Sequence, residues 1–505
     1  MRWIRIVALG LTLMHCGGEE SNWRDLAARC ATPRTGTDPF TGQAYPDKRA
    51  TLTDEKSWLK AWTDDTYLWY SEVPSVNAAQ YTSVTDYFDQ LKTRATTPSG
   101  NDKDRFHFWY PTADWEQLSQ SGVELGYGIT WVVLSPPKTL PRNWVVGYVE
   151  PNSPADGKIM RGAQLKLIDG VNMETANTQA EIDLLNAGLS PANIGEQHTY
   201  TVLDPGSTQN RDVPLQAAGI TTNPVPITGV VMATNGKKVG YLLFNDHIAT
   251  AEQRLVDAVT SLKAQSINEL VLDIRYNGGG YLAIASEIAY MIAGSARTSG
   301  KIFEQLTFNA KHPSTDPVTG KQITPTPFYT QTLGFSAAAG TPLPTLDLPR
   351  VFVLTGPGTC SASESVLNSL DGVGVQVIQI GATTCGKPYG FYPEDNCGVT
   401  YFSIQFKGVN AKGFGDYADG FAPAATAPVA GFTGCVMADD FTRPLGDAGE
   451  NRLETALNYI TTGSCGTPAA ATALITAPGP RGDGEVLKSV WRQNRILGMP
   501  RSAGR

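Results

Sequence analysis

Histidine is scarce in this chain: there are five in 505 residues, and none lies near Cys30, Cys360, Cys385, Cys397, Cys435 or Cys465. No CxxC pair occurs either, so the ligand spacing of a structural zinc site is missing. Basic residues are the minority charge, 40 Lys and Arg against 48 Asp and Glu, which leaves a net charge of −8. Such a chain offers no broad basic surface, which argues against nucleic acid as a partner. Beyond the first residues no apolar run reaches the ~18 residues of a membrane-spanning helix. Glycine and proline are plentiful, 51 and 33, but follow no repeat, which excludes a collagen-like or low-complexity body. What remains is ordinary folded-protein composition, 41% hydrophobic and 17% charged. The length suits roughly three domains.

The first residues carry Arg2 and Arg5, then a mostly apolar run from Ile6 to Met14, then His15, Cys16, Gly17 and Gly18. A short positive segment ahead of a short apolar run predicts a secretory signal over 1–18. Cys16, with Leu13 three places before it, is a candidate lipid-bearing cysteine of a bacterial lipoprotein signal, although His15 fits poorly just before the cleavage point. The expected location is the periplasm or, as a lipoprotein, the outer membrane of a bacterium. Any membrane attachment would run through the lipid on Cys16. Six further cysteines, an even number, suit disulfides in that compartment, with the pairing open.

Residues 19–118 read as a small helical domain. Trp58, Trp62, Leu68 and Trp69 give the segment 57–70 a partly apolar face, and a second helix is expected over 84–95. Residues 119–217 turn to strand alternation at 127–134 and 144–150. Pro154-Ala155 then opens an expected short helix, Gly162 marks a turn, and a strand ends at Asp169-Gly170. This order resembles a PDZ domain. Gly126, Tyr127, Gly128 and Ile129 would form its loop for a peptide's terminal carboxylate, while the peptide adds a strand. A plain turn accounts for Gly126 and Gly128 equally.

From 218 to 465 strands (237–245, 268–276, 350–356, 375–381) alternate with helices (250–265, 281–294, 361–372). That rhythm predicts an α/β core of βαβ units on a mixed sheet, with residues 295–349 as a long excursion. The expected fold class is thus an α/β catalytic core with an inserted or preceding PDZ-like β-rich domain and a small N-terminal helical domain. Residues 466–505, rich in Ala, Pro and Gly and then basic, read as a mobile extension.

Three segments of the core carry candidate chemistry. Asp273-Ile274-Arg275-Tyr276-Asn277 runs into Gly278, Gly279 and Gly280, and glycines after a strand let backbone N–H groups approach a ligand closely. Ser361-Ala362-Ser363-Glu364 opens a helix, where a hydroxyl sits beside unpaired amides. A capping box of Ser361 and Glu364 explains this pattern without any catalysis. Gly386-Lys387-Pro388 ends the next strand, 26 residues after Ser361. Loops at the carboxyl ends of neighbouring parallel strands converge, so Ser361 and Lys387 are expected to meet. A lysine whose pKa burial has lowered serves as a general base. Ser363 and a Cys360–His247 pair are competing nucleophile schemes.

The order and spacing of these three segments resemble the C-terminal processing peptidases, also called tail-specific proteases, over about residues 119–425. The resemblance implies Ser361 as nucleophile and Lys387 as general base. It implies Gly278 or Gly279 and Ala362 as oxyanion donors, and no cofactor or metal. Phe391 stands where many relatives place a glutamine that orients the lysine; Gln405 and Glu364 are the candidate replacements. Pro388 replaces the usual glycine. A bridge from Cys385 to Cys360 or to Cys397 would stiffen the site. The implied function is an exported serine endopeptidase acting on polypeptide substrates, whose C-termini the PDZ-like domain recognises. The rivals are a non-catalytic peptide-binding envelope protein on the same fold and a small-ester or amide hydrolase. Oligomeric state is not readable from this pattern.

Overall fold

The strands Lys238–Leu243, Glu269–Asp273, Arg350–Thr355 and Gln376–Gly381 are apolar and buried along nearly their whole length. That is the pattern of strands covered on both faces. In the computed structural model, which describes residues 22–135, 139–426, 430–466, 483–487 and 495–496, they form the middle of a seven-stranded sheet. The spatial order is Ile227–Met232, Lys238–Leu243, Glu269–Asp273, Arg350–Thr355, Gln376–Gly381, Gly431–Val436, Ala422–Ala424. All neighbours are parallel except the first pair. The expected signal over 1–18, with Cys16, lies outside the described residues. Among the described residues no helix is long and apolar enough to cross a membrane.

Period-two alternation sends successive strand residues to two cores. Leu242, Leu272 and Val353 pack under the helices Ala251–Ala264, Leu282–Ala293 and Ala362–Gly372. Tyr241, Val271 and Phe352 face the helix Asn451–Thr462 and the β-rich unit. The excursion 295–349 is more ordered than its composition suggests. Ile302–Thr307 pairs with Phe406–Val409, and Phe328, Leu343 and Leu348 are buried in the first core.

The β-rich unit is a second sheet. Its order is Asn210–Gln216, Gln197–Leu203, Gln164–Ile168, Trp144–Val149, Ile129–Val133, with Glu485–Leu487 on the outer edge. Pro154-Ala155 lies in turns and opens no helix. The Ala155 N–H is drawn instead to Tyr127 O at 3.1 Å, which fixes the 126–129 loop against it.

In the N-terminal unit, Thr51 and Asp54 form a capping box for the helix Leu52–Thr66. Trp58 and Trp62 are fully buried there, with rings stacked 5.6 Å apart. The second helix stops at Phe88, well short of 95. Cys30–Cys397 ties this unit to the core, and Cys435–Cys465 ties the strand Gly431–Val436 to the residues just past the helix Asn451–Thr462.

Candidate active site

Three loops leave the carboxyl ends of adjacent parallel strands, after Asp273, Thr355 and Gly381, so sheet geometry alone brings them together. The first is held by Asn277. Its Nδ2 donates to Phe244 O at 2.9 Å, and its Oδ1 accepts from Gly279 N at 2.9 Å and faces His247 Nδ1 at 3.0 Å. Gly280 has φ +134°, and a Cβ there would lie 2.3 Å from His247 O, so only glycine fits. The second loop docks on the first: Cys360 N donates to Asn277 O at 3.1 Å and Ser363 Oγ to the same oxygen at 2.9 Å.

Ser361 stands between these anchors with φ +61° and ψ −115°, a strained backbone for a residue with a side chain. Its buried hydroxyl makes no hydrogen bond among the described residues. The carboxylate half of the capping box is present, with Ser361 N donating to Glu364 Oε2 at 3.0 Å.

Glu364 also organises the third loop. It accepts from Thr384 Oγ1 at 2.5 Å, Gly386 N at 2.8 Å and Lys387 N at 2.8 Å. Ser361 N and Lys387 N share Oε2, which brings the two backbones within about 6 Å. The Cys360–Cys385 disulfide closes the same two loops from the neighbouring positions. Of the two bridges considered for Cys385, this one forms, and Cys397 goes to Cys30. Burial pushes the Glu364 carboxyl up, against the pull of its four donors.

Lys387 is fully buried. Its Nζ lies 4.8 Å from the Phe106 ring centre and 4.7 Å from that of Phe391. Burial lowers its pKa to about 7, and the nearby Asp104 and Glu364 oppose that shift. An amine with that pKa is largely neutral just above pH 7 and is then a proton acceptor. Phe391, in the place expected for a glutamine, makes an apolar wall. Gln405 Oε1 accepts from Tyr392 N at 2.7 Å, and Glu364 meets Lys387 at its backbone amide.

The rival nucleophiles are otherwise engaged. Ser363 Oγ is bonded to Asn277 O, and Cys360 carries no thiol. Of the expected oxyanion donors, Gly279 N is committed to Asn277 Oδ1. That leaves Gly278 and Ala362, whose amides have no acceptor among the described residues. Among the described residues one cluster of three potential metal ligands occurs, Cys360, Glu364 and Cys385, and the disulfide uses both of its sulfurs.

Asp104 and Phe106 escaped the sequence reading. They come from the N-terminal unit, where Tyr67 Oη donates to the buried Asp104, and the Arg105 guanidinium beside them bonds Cys385 O. No linear spacing links positions 104–106 to 387.

Gly386 marks how tightly the third loop is seated. It has φ +84°, and a Cβ would lie 2.3 Å from Ala418 O and 2.6 Å from Gly420 N. Gly386→Ala is expected to cost about 1–3 kcal/mol in strain and to displace Lys387, so thermal unfolding and turnover should fall together.

At the β-rich unit, Gly128 has φ +81°, and a Cβ there would sit 2.2 Å from Ser153 Cβ. The Tyr127 side chain points into the unit's own core, its ring centre 5.5 Å from that of Tyr200. Only backbone from Tyr127 is therefore offered outward, and its amide and that of Gly128 have no acceptor among the described residues. Gly126, Gly128, Ile129, Leu189 and Ile194 line a cavity of about 710 Å³ beside this loop.

Residues 238–390 match the family model for Peptidase family S41, and residues 54–108 match that for the Peptidase S41 N-terminal domain. A carboxyl-terminal-processing protease of Picosynechococcus sp. (strain ATCC 27264 / PCC 7002 / PR-6) is 28% identical over 244 residues. That match covers 47% of this chain and 49% of the relative, so it spans about half the relative's length. A putative S41 protease from Bacteroides fragilis NCTC 9343 superposes with a TM-score of 0.57 at 21% identity, covering 83% of this chain and 99% of that one. A photosystem II D1 C-terminal processing protease has a TM-score of 0.43 at 17% identity, covering 74% and 92%. The Bacteroides structure shows the likeness of fold.

Proposed function

We propose that this chain, whose residues 238–390 and 54–108 match the models for Peptidase family S41 and its N-terminal domain, is an exported serine endopeptidase cleaving polypeptides with Ser361 and Lys387. One observation carries the reading. A lysine with pKa lowered to about 7 is stitched, through Glu364 and a disulfide, to the loop of a strained serine whose hydroxyl makes no hydrogen bond among the described residues. Neutral Lys387 takes the Ser361 proton as Oγ attacks a peptide carbonyl, then returns it to the leaving amine. Water hydrolyses the resulting ester by the same route. The amides of Gly278 and Ala362 bind the developing oxyanion, the latter at a helix N-terminus.

The β-rich unit acts as a PDZ-like module. The amides of Tyr127 and Gly128, without an acceptor among the described residues, suit a terminal carboxylate, and the edge of Ile129–Val133 suits an added strand. Export to the bacterial periplasm, with Cys16 as a lipid anchor, completes the proposal. Three disulfides accord with an oxidising compartment.

The test compares the chain with its Ser361→Ala variant on an unstructured protein. Cleavage should fall by roughly 10³-fold or more while binding of the polypeptide persists. Unchanged cleavage in the variant would overturn the assignment.

A further inference from the structure

Two short stretches near the C-terminus lie where that reading puts a substrate. Glu485–Leu487 adds antiparallel to Ile129–Val133, with Glu485 opposite Val133, Val486 opposite Val132 and Leu487 opposite Trp131. The direction matters: the stretch advances toward Ile129 and the 126–128 loop, as a C-terminal peptide held by strand addition would. Leu487 reaches the wall of the cavity beside that loop. Val486 is buried against Gly358, three residues ahead of Ser361, and a Cβ on Gly358 would meet it at 2.6 Å. Asp483 pairs with the buried Arg452, which anchors the start of the stretch.

Further on, Arg495–Ile496 pairs parallel to Gly280–Tyr281, at the end of the glycine loop. The same two residues also lie beside Tyr389–Gly390, just past Lys387. Glu485–Leu487 thus covers the peptide edge of the β-rich unit and packs on the approach to Ser361, and Arg495–Ile496 lies between the glycine loop and the strand after the lysine.

We propose that the stretches Glu485–Leu487 and Arg495–Ile496 are built-in ligands of the polypeptide track, competing with incoming substrates. The inference rests on the proposed peptidase reading for what it competes with, but not for the pairing itself. Tethering gives such a ligand an effective concentration on the order of millimolar, so a free polypeptide must displace it. The signature is an apparent KM raised by the chain's own tail, with kcat little changed.

Three chains test this: the full chain, a chain ending at Gly482, and full-length Leu487→Pro, which removes one strand N–H and leaves the Asp483–Arg452 pair. Two readouts are taken, the KM for an unstructured polypeptide and backbone hydrogen exchange at 129–133 and 280–281. Both altered chains should show KM at least ten-fold lower and exchange at 129–133 at least ten-fold faster. The chain ending at Gly482 should also lose protection at 280–281. A synthetic peptide of residues 483–496 added to it should restore the high KM competitively. Equal KM and equal exchange in all three chains would overturn the proposal. If the shorter chain does not fold, Leu487→Pro decides. If no chain cleaves anything, the peptidase reading fails, and exchange alone still decides whether the segment is a displaceable ligand.

Discussion

Replacing Lys387 with Met is expected to lower polypeptide cleavage by roughly 10³-fold or more while leaving the fold at least as stable. The loss follows from the proposed dyad: Ser361 Oγ makes no hydrogen bond among the described residues, so on that proposal Lys387 is its proton acceptor. The stability follows from the cage. Lys387 Nζ is fully buried between Phe106 and Phe391, an apolar setting that Met fills and an ammonium does not. The sign of the pH effect is fixed by the shift. The folded pKa is about 7 against an ordinary 10.5, so the unfolded chain binds more protons in between. This group therefore makes stability rise with pH through that window and costs most below it. The Met variant should lose that slope. Thermal melts at a series of pH values, run beside the activity assay, check both halves.

Arg275→Met is the second large effect, and it falls on stability first. Arg275 is fully buried and binds Asp273 at 3.0 and 2.9 Å, Glu450 at 2.8 and 2.9 Å, and Asp439 at 2.8 Å. These contacts join the strand before the glycine loop to the helix Asn451–Thr462, and Arg161 brings in the β-rich unit through Asp439. Removing one partner of a buried ionic cluster costs about 3–5 kcal/mol, because the others stay desolvated and unpaired. Burial opposes the ionised forms of Asp439 and Glu450, but the guanidiniums outweigh it and hold both carboxyls below their usual range. In the native chain their stabilisation is present above the ordinary carboxyl pKa and is lost as pH falls. In the variant they are repelled carboxylates at neutral pH, so its deficit should shrink toward about pH 4 as they protonate. Denaturant melts at neutral and acid pH measure this.

The core strands and the site loops were legible because each carries local information. Strands expected at 350–356 and 375–381 are found at Arg350–Thr355 and Gln376–Gly381, where continuous apolar runs meet glycine turns. That the loops bearing Ser361 and Lys387 converge followed from one rule about parallel strands. The walls around the lysine were not legible, since Phe106 and Asp104 reach it across some 280 residues of sequence and through a disulfide-tied unit. Which glycine amide Asn277 Oδ1 captures, that of Gly279, needed coordinates. Pro154-Ala155 read as a helix start, but a tertiary bond to Tyr127 outweighed that local preference. In the segment read as a mobile extension, Glu485–Leu487 takes its order from the edge it pairs with rather than from its own composition.

The pH dependence of kcat/KM on an unstructured polypeptide tests the central claim most directly. A buried, neutral Lys387 acting on Ser361 predicts a rate that rises ten-fold per pH unit and levels off with a midpoint at about 7. A rate that is flat across that range, or one still climbing toward the ordinary lysine value of 10.5, would contradict it.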